Sequence, residues 1–402
     1  MASIAGWNGV KSLAITRRLS WEKLFIVKLQ FQKRSALELV SRIPPLAGQS
    51  GGYDTPQRTR ELFSRIALGF IPVIIIALFG LLSTQAVAAS FDCKKATTWV
   101  EKTVCSNPEL SKLDEELAKA YHDALASLSP EGQKETKQYQ RQWLKEISQY
   151  CIKDKRVSDP AECLKLAYRE RITQLQQSLI KFPDRIFRNV YVSQSESKET
   201  CPYVFVTKKL MYPQIENPRD ENEKSWNVFI SKKVSDELKS PTGGQCTDIY
   251  VENTVSFSNK RLISDQNEQW WYSQGAAHGY TNRASLNWLL EEKRELQASD
   301  LFDDKTDWIA ELVALVYKKL EEEEAAHKGK YEIPPYLSFV DSPDRWVISK
   351  DGLGIQFAEY ELGSRASPLI KMDWKTLDPY ISKSGHCLIS NSYHDADKSC
   401  VK

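Results

Sequence analysis

The 402-residue chain has a formal net charge of +2, but this value averages two unlike parts. Residues 1–89 carry 11 basic and 4 acidic residues, whereas residues 90–402 carry 44 basic and 49 acidic residues. The acidity lies in residues 182–402, which hold 28 basic and 35 acidic side chains. This distribution excludes nucleic acid as an expected partner and favours a basic partner, which long-range electrostatic steering attracts.

An apolar segment at residues 66–89 indicates that the rest of the chain is exported. None of its residues is charged, arginines precede it, and it ends in small residues at Ala86–Ala89. This order is typical of a secretory signal peptide, and the glycines and proline within it disfavour a buried core helix. Because 65 residues precede it, two interpretations stay open: translation begins later and the signal is cleaved, or the segment is a membrane anchor. No domain is predicted in residues 1–65, an extension that is either untranslated or disordered.

The cysteines support export. All eight lie beyond the apolar segment, and an even number in an oxidising compartment predicts a disulfide framework. They are Cys93, Cys105, Cys151, Cys163, Cys201, Cys246, Cys387 and Cys400. The alternative is a zinc site built from His386, Cys387, His394 and Cys400, whose spacing fits no compact metal-binding motif. We therefore expect neither a metal nor a cofactor.

Residues 90–181 are predicted to be helical throughout. The sequence Ser106–Glu109 indicates a capping box with proline in the first turn, and leucines follow it at helical spacing. Similar starts at Ser129–Glu131 and Ser158–Pro160 predict a second and a third helix. Short connections imply antiparallel neighbours in a small bundle. Its four cysteines would add covalent ties, but their pairing stays open because four cysteines allow three connectivities.

A set of residues in this bundle follows the pattern of a known family. They are Phe91–Ala96, Glu101, Val104, Cys105, Pro108–Leu110, Leu113, Asp114, Leu117, Tyr121, Gln142–Leu144, Cys151, Cys163, Leu164, Tyr168 and Arg171. In this order they resemble the LprI-like lysozyme-inhibitor family, which implies a disulfide-tied helical fold and lysozyme as partner. One position departs from the family, which usually has an arginine where this chain has Ile147. If that arginine contributes to recognition in the family, this chain binds lysozyme differently or not at all.

From about residue 182 the hydrophobic period changes from that of a helix to that of a strand. Runs of β-branched and aromatic residues predict strands at Asn189–Val192, Tyr203–Val206, Ile249–Val251 and Trp270–Tyr272. Helical spacing at residues 222–238 and 304–319 predicts helices packed on the sheet, and the pair Asp351 and Gly352 signals a hairpin. We expect an α+β chain: a disulfide-tied bundle at 90–181, then an α+β domain at 182–402 with a mainly antiparallel sheet.

Several C-terminal segments together are similar to a second family. They are Tyr212–Pro213, Ser273–Tyr280, Leu296–Phe302, Lys350–Leu362 and Trp374–Tyr380. They resemble the C-terminal domain, of unknown function, shared by RsiV-type lysozyme-sensing anti-sigma factors and PdaC-type cell-wall deacetylases. In those deacetylases a separate domain, lacking here, is catalytic, so the resemblance implies recognition rather than reaction. Two departures are Ala276, where relatives often have glycine, and residues 364–368, which displace the usual glycine after Tyr360.

The stretch around SQGAAHGY contains the candidate binding residues. Gly275 and Gly279 would let the backbone approach a ligand while His278 offers a hydrogen bond. The usual role of glycine in turns favours the alternative, in which the glycines shape a loop between strands and His278 caps it. Neighbouring strand residues alternate between faces, so Trp271 is a candidate aromatic anchor, as is Tyr280 after the loop. The five histidines of the chain form no catalytic motif. We therefore predict no catalytic residues and no enzymatic activity.

Both resemblances point to the same partner, lysozyme, and the c type is suspected. We expect an exported envelope protein, periplasmic or otherwise extracytoplasmic, that binds lysozyme and inhibits it by occluding its cleft. Two alternatives remain. If residues 66–89 are retained, the chain is a membrane-anchored sensor of lysozyme or of the cell wall, and only then is a membrane a partner. Alternatively, the chain is a peptidoglycan-acting enzyme or an accessory to one.

Overall fold

The computed structural model of the chain describes residues 89–239, 244–329, 331–335, 337–363 and 365–390. The extension and nearly all of the apolar segment lie outside these ranges, so cleavage or anchoring stays a prediction. Within the described ranges, no helix combines the length and the apolar character that crossing a bilayer requires.

The first described part is helical. It consists of α1 (Trp99–Ser106), α2 (Pro108–Ser127), α3 (Pro130–Lys153) and α4 (Pro160–Gln176), after a 3-10 turn at Cys93–Lys95. Helices α2, α3 and α4 each begin with proline in the first turn, behind a residue whose side chain accepts backbone hydrogen bonds. The predicted starts of α3 and α4, capped by Ser129 and Asp159, are confirmed.

The predicted capping box at Ser106 is wrong by one residue. Ser106 ends α1, and its hydroxyl donates to the Thr103 carbonyl at 3.2 Å. The cap of α2 is Asn107, whose Oδ1 accepts hydrogen bonds from the amides of Glu109 and Leu110 at 3.0 and 3.2 Å. The reason is the proline: because Pro108 is the first helical residue, the residue directly before it is the cap.

Two disulfides tie this part together. Cys93 pairs with Cys105, and Cys151 pairs with Cys163. Of the three possible connectivities, the chain therefore adopts the one that joins consecutive cysteines. The core between the helices is built on apolar side chains that are entirely buried, including Val104, Leu110 and Leu164.

A capping box is present at the start of α1, one helix earlier than predicted. The Glu101 carboxylate accepts the amides of Thr98 and Thr97, both at 2.8 Å, and the Thr98 hydroxyl accepts the Glu101 amide at 3.2 Å. These backbone hydrogen bonds, Thr98 first, lower the pKa of Glu101 from 4.5 to about 2.

We therefore expect the Glu101 carboxyl to titrate near pH 2 in an NMR titration of the folded protein. Because its pKa is depressed on folding, the contribution of this cap is fully present above the unfolded value of 4.5 and is lost as pH falls through about 2. Glu101→Gln removes this part of the pH dependence. A Glu101 midpoint close to 4.5 would contradict the capping box.

The strands form two sheets. The larger has the order β1-β2-β3-β4-β5-β6-β7, and all its neighbours are antiparallel except the parallel pair β3 and β4. Its strands are β1 (Leu179–Lys181), β2 (Ile186–Ser197), β3 (Phe205–Ile215), β4 (Thr247–Ser258), β5 (Leu262–Ser273), β6 (Tyr280–Leu289) and β7 (Arg294–Glu295). Helix α5 (Glu221–Lys239) connects β3 to β4 and buries Trp226, Ile230 and Val234 against the sheet.

The smaller sheet is antiparallel with the order β10-β9-β8. It contains β8 (Trp346–Ile348), β9 (Gly352–Gln356) and β10 (Leu369–Asp373). It shares a second apolar core with α7 (Trp308–Ala326), and the shorter α6 (Ala298–Leu301), α8 (Trp374–Leu377) and α9 (Lys383–Ile389) lie around it. The predicted hairpin at Asp351 and Gly352 joins β8 to β9 and is confirmed.

The α+β class with a mainly antiparallel sheet is thus confirmed. Helix gives way to strand between Gln176 and Leu179, while the domain limits at residues 181 and 182 stay a prediction. The helical part is bound to the sheet by polar contacts. Lys209 of β3 contacts Glu170 of α4 at 2.9 Å, and Arg188 of β2 contacts Glu135 of α3 at 3.0 Å. The two parts are therefore held against each other.

Candidate functional site

The loop between β5 and β6, residues 274–279, is the centre of the candidate site. Residues Gly275–His278 are exposed. Gly275 has a φ of +92°, which explains glycine at this turn position. The turn is held internally, because the Ala276 amide donates to the Ser273 carbonyl at 2.9 Å and the Tyr272 hydroxyl donates to the Ala276 carbonyl at 3.1 Å. His278 Nδ1 lies 3.0 Å from the Gly279 carbonyl oxygen.

The base of this loop is fixed by a disulfide and by one glutamine. Cys246, directly before β4, is bonded to Cys201, and its carbonyl accepts the Gln274 amide at 2.9 Å. The Gln274 side chain accepts the Tyr203 amide at 3.0 Å and donates to the Phe205 carbonyl at 2.5 Å. Three chain segments distant in sequence therefore meet under the loop and give it a rigid base.

On one face of the hairpin, Gly279 packs against an aromatic cluster. The Trp270 ring is stacked with Tyr272 at 6.0 Å and meets Tyr250 edge-on at 5.2 Å, measured between ring centroids. A Cβ atom at Gly279 would lie 2.5 Å from the Trp270 indole, closer than any van der Waals contact allows. Close packing against Trp270 therefore explains why residue 279 is a glycine.

The other face carries three aromatic residues, Trp271, Tyr280 and Tyr360, which we call the aromatic platform. Trp271 and Tyr280 are directly paired across β5 and β6, with ring centroids 4.7 Å apart. The Tyr280 and Tyr360 rings are 6.4 Å apart and nearly parallel, at 15°. Tyr360 is 44% exposed and has a φ of +68°, which a bulky side chain rarely adopts.

A carboxylate and a guanidinium lie beside the platform. Glu359 is only 8% exposed, and its Oε2 has no hydrogen-bond partner among the described residues. Its Oε1 lies 3.6 Å from Nη2 of Arg365, and the same nitrogen donates to the Gly279 carbonyl at 3.3 Å. Arg365 thereby connects Glu359 to the end of the β5–β6 loop.

The helical part reaches the base of the loop through Arg156. Its guanidinium binds both carboxylate oxygens of Asp154, contacts Asp248 of β4 at 2.5 Å, and donates to the Phe205 carbonyl at 3.3 Å. Burial alone would lower the pKa of Arg156, but Asp154, Tyr150 and Asp248 outweigh it and raise that pKa. The Phe205 carbonyl therefore accepts hydrogen bonds from both Arg156 and Gln274, which couples the helical part to the loop.

The structure brings the five sequence-predicted residues together. Trp271, Gly275, His278, Gly279 and Tyr280 all belong to one hairpin, and their role in binding stays a prediction. The sequence did not place Glu359, Tyr360 or Arg365 beside them. The one available signal was that residues 350–362 resemble the same family domain as residues 273–280.

The cysteines of the described part are all oxidised. Cys201 pairs with Cys246, and Cys387 is also disulfide-bonded, while Cys400 lies outside the described residues. The alternative zinc site also includes His394 and Cys400, so part of it lies outside the described residues as well. Within the described ranges, no group of three or more histidine, cysteine or acidic side chains is placed to hold a metal ion.

Comparison with known proteins identifies two segments of the chain. Residues 93–179 match the family model described as lysozyme inhibitor LprI. Residues 299–371 match the model described as a protein of unknown function, DUF3298. Neither description names an enzyme. No curated protein matches the chain.

Two solved structures are similar to this chain. A DUF3298 family member from Bacteroides fragilis is 16% identical, with a TM-score of 0.36, and the match covers 51% of this chain and 94% of the other. A DUF3298 family protein from Pseudomonas aeruginosa is 12% identical, with a TM-score of 0.37 and coverage of 49% and 95%. One segment of the chain is therefore similar to the LprI family and a second segment is similar to the DUF3298 family.

Proposed function

We propose that this chain is an exported envelope protein that binds lysozyme and inhibits it by occluding the catalytic cleft. The observation that carries the proposal is the match of residues 93–179 to the lysozyme inhibitor LprI, in a part whose two disulfides are both formed. Disulfides form and persist in oxidising compartments, which supports export. In this proposal, residues 66–89 are the cleaved signal that directs it.

The β5–β6 loop is the element that we assign to the cleft. Lysozyme works with one protonated and one ionised carboxyl on either side of an open groove, so filling that groove is sufficient to exclude the glycan. The loop tip, Gly275–His278, is exposed and narrow, and His278 brings ring nitrogens that hydrogen-bond carboxyl groups. The disulfide and Gln274 hold its base, which reduces the ordering cost of binding.

Two features favour this loop over the helical part. Ile147, which replaces the arginine usual in the LprI family, packs against the helical core and offers no charge to a partner. The loop also belongs to the acidic part of the chain, residues 182–402, which carries 35 acidic and 28 basic residues. The net negative charge of this part attracts a basic lysozyme over long range.

We expect the purified, oxidised protein to bind a c-type lysozyme and to stop it from lysing cell walls. Affinity should fall as salt rises, because the screening length shrinks from about 30 Å at 0.01 M to about 8 Å at 0.15 M. Calorimetric titration and turbidity of a wall suspension measure the two effects in parallel.

The outcomes separate the alternatives. Binding that leaves lysis unchanged would indicate a sensor and contradict inhibition. Absence of binding at micromolar protein would contradict lysozyme as the partner altogether. Wall hydrolysis or deacetylation by the protein alone would indicate an enzyme instead.

A further inference from the structure

We propose that the aromatic platform, together with Glu359 and Arg365, binds a neutral amino-sugar oligosaccharide. This ligand is additional to lysozyme and its recognition does not depend on the proposed inhibition. The site consists of Trp271, Tyr280 and Tyr360 on one face of the β5–β6 hairpin, with the carboxylate and the guanidinium at its edge.

The platform is partly open to a ligand: Tyr360 is 44% exposed, Tyr280 is half-buried, and Trp271 is half-buried with part of its ring packed against the core of the larger sheet. The centroids of Tyr280 and Tyr360 are 6.4 Å apart with nearly parallel planes, a spacing well beyond the roughly 3.5–4 Å between carbon atoms in contact. Neither ring therefore fully covers the face of the other. The face of a pyranose ring carries C–H groups with slightly positive hydrogens, which complement the negative face of an aromatic ring.

The polar groups at the edge of the platform match an acetamido sugar. Glu359 supplies an acceptor, Oε2, that no described group satisfies, and buried acceptors are normally hydrogen-bonded. Within the described residues, Arg365 uses only Nη2 in its contacts, so Nε and Nη1 are available as donors. An acetamido group has one N–H, which can donate to Glu359 Oε2, and one carbonyl, which can accept a hydrogen bond from Arg365.

The charge of the site favours a neutral ligand over a basic side chain of a protein. Arg365 already lies 3.6 Å from Glu359, so a second cation at the carboxylate would be repelled. Glu359 Oε2 is buried in this conformation, whereas the Arg365 side chain beside it is 52% exposed, so the proposal requires Arg365 to change its rotamer when the ligand binds. The ion pair between Glu359 and Arg365 forms the edge of the site.

The strain at Tyr360 is consistent with a binding role. A tyrosine at a φ of +68° is disfavoured, and such residues cluster where a ligand is held. In this conformation 44% of the residue is exposed.

Tetra-N-acetylchitotetraose is the probe for this proposal, followed by tryptophan fluorescence and by calorimetry with no lysozyme present. We expect saturable binding by the wild-type protein at a Kd below about 1 mM. Cellotetraose, which lacks the acetamido groups, should bind at least about tenfold more weakly, since the buried acceptor stays unpaired.

Tyr360→Asn is the decisive variant, because asparagine tolerates the left-handed conformation and the substitution relieves strain while it removes the ring. We expect it to fold normally and to weaken chitotetraose binding at least about tenfold. Glu359→Gln should weaken it as well, since its amide no longer offers two carboxylate acceptors. Val228→Ala, at a residue of α5 that is 69% exposed, should bind like the wild type.

Three results would overturn the proposal: no saturable response at about 10 mM probe, unchanged binding by Tyr360→Asn, or equal binding of the two oligosaccharides. Because none of these measurements contains lysozyme, failure of the inhibitor proposal leaves their interpretation unaffected.

Discussion

Arg156→Met is expected to lower the free energy of unfolding by about 3–5 kcal/mol, because it leaves two buried carboxylates without their cation. Asp154 and Asp248 are 2% and 1% exposed, and Arg156 contacts both, at 2.8 Å and 2.5 Å. The guanidinium also lies 5.1 Å from the Tyr203 ring and 5.9 Å from the Tyr150 ring. The loss is measured by denaturant unfolding of the oxidised protein, followed by circular dichroism.

Two further variants test the cause of this loss. Arg156→Lys retains the charge but not the planar fork that binds both oxygens of Asp154, so we expect a smaller loss than for methionine. Lys119→Met removes an ion pair with Asp123 whose side chains are 79% and 64% exposed, and we expect a change below about 0.5 kcal/mol. If Arg156→Met were as mild as Lys119→Met, the buried bridge would not hold the helical part to the sheet.

The local structure of this chain could be predicted because its signals are local. Proline at the first turn, with a polar residue before it, set the starts of α3 and α4. Alternating β-branched and aromatic residues identified β2, β4 and β5, and an Asp-Gly pair identified the β8–β9 hairpin. Each of these depends on residues close in sequence, which pattern and propensity describe well.

The contacts that build the site could not be predicted, because they join residues that are far apart in the chain. Gly279 and Arg365 meet at 3.3 Å, and Arg156 reaches Asp248 across the boundary between the two parts. Nor does composition fix the pairing of cysteines: Cys201 and Cys246 are 45 residues apart and meet only because β3 and β4 are adjacent. The sequence therefore placed the hairpin of the site but not the segments that surround it.

The structure also separates two roles within the predicted glycines. Gly275 has a φ of +92° and nothing within 4 Å of a Cβ placed on it, so its role is the turn conformation. Gly279 instead has the Trp270 indole 2.5 Å from that position, so its role is close packing. A substitution at 279 therefore acts on the loop through a side chain of the neighbouring strand.

Gly279→Ala is accordingly expected to displace the loop and to weaken lysozyme binding by about tenfold or more, a size typical of a lost interface hot spot. The Trp270 ring cannot move aside without disturbing its contacts with Tyr250 and Tyr272, so the backbone at 279 shifts instead. Overpacking of this kind costs about 1–3 kcal/mol of stability. Calorimetric titration with c-type lysozyme gives the affinity, and near-ultraviolet circular dichroism reports the change around Trp270.

Gly329→Ala is the matched control for this substitution. Gly329 has a φ of +76° and nothing within 4 Å of an added Cβ, so alanine there introduces backbone strain of about 1 kcal/mol without a clash. It lies after α7, outside the β5–β6 loop, and we expect lysozyme binding to stay at the wild-type level. If both variants bind lysozyme as the wild type does, the loop does not enter the cleft. If both lose affinity equally, binding depends on overall stability. Only a loss confined to Gly279→Ala assigns recognition to the loop, because that variant alone moves it.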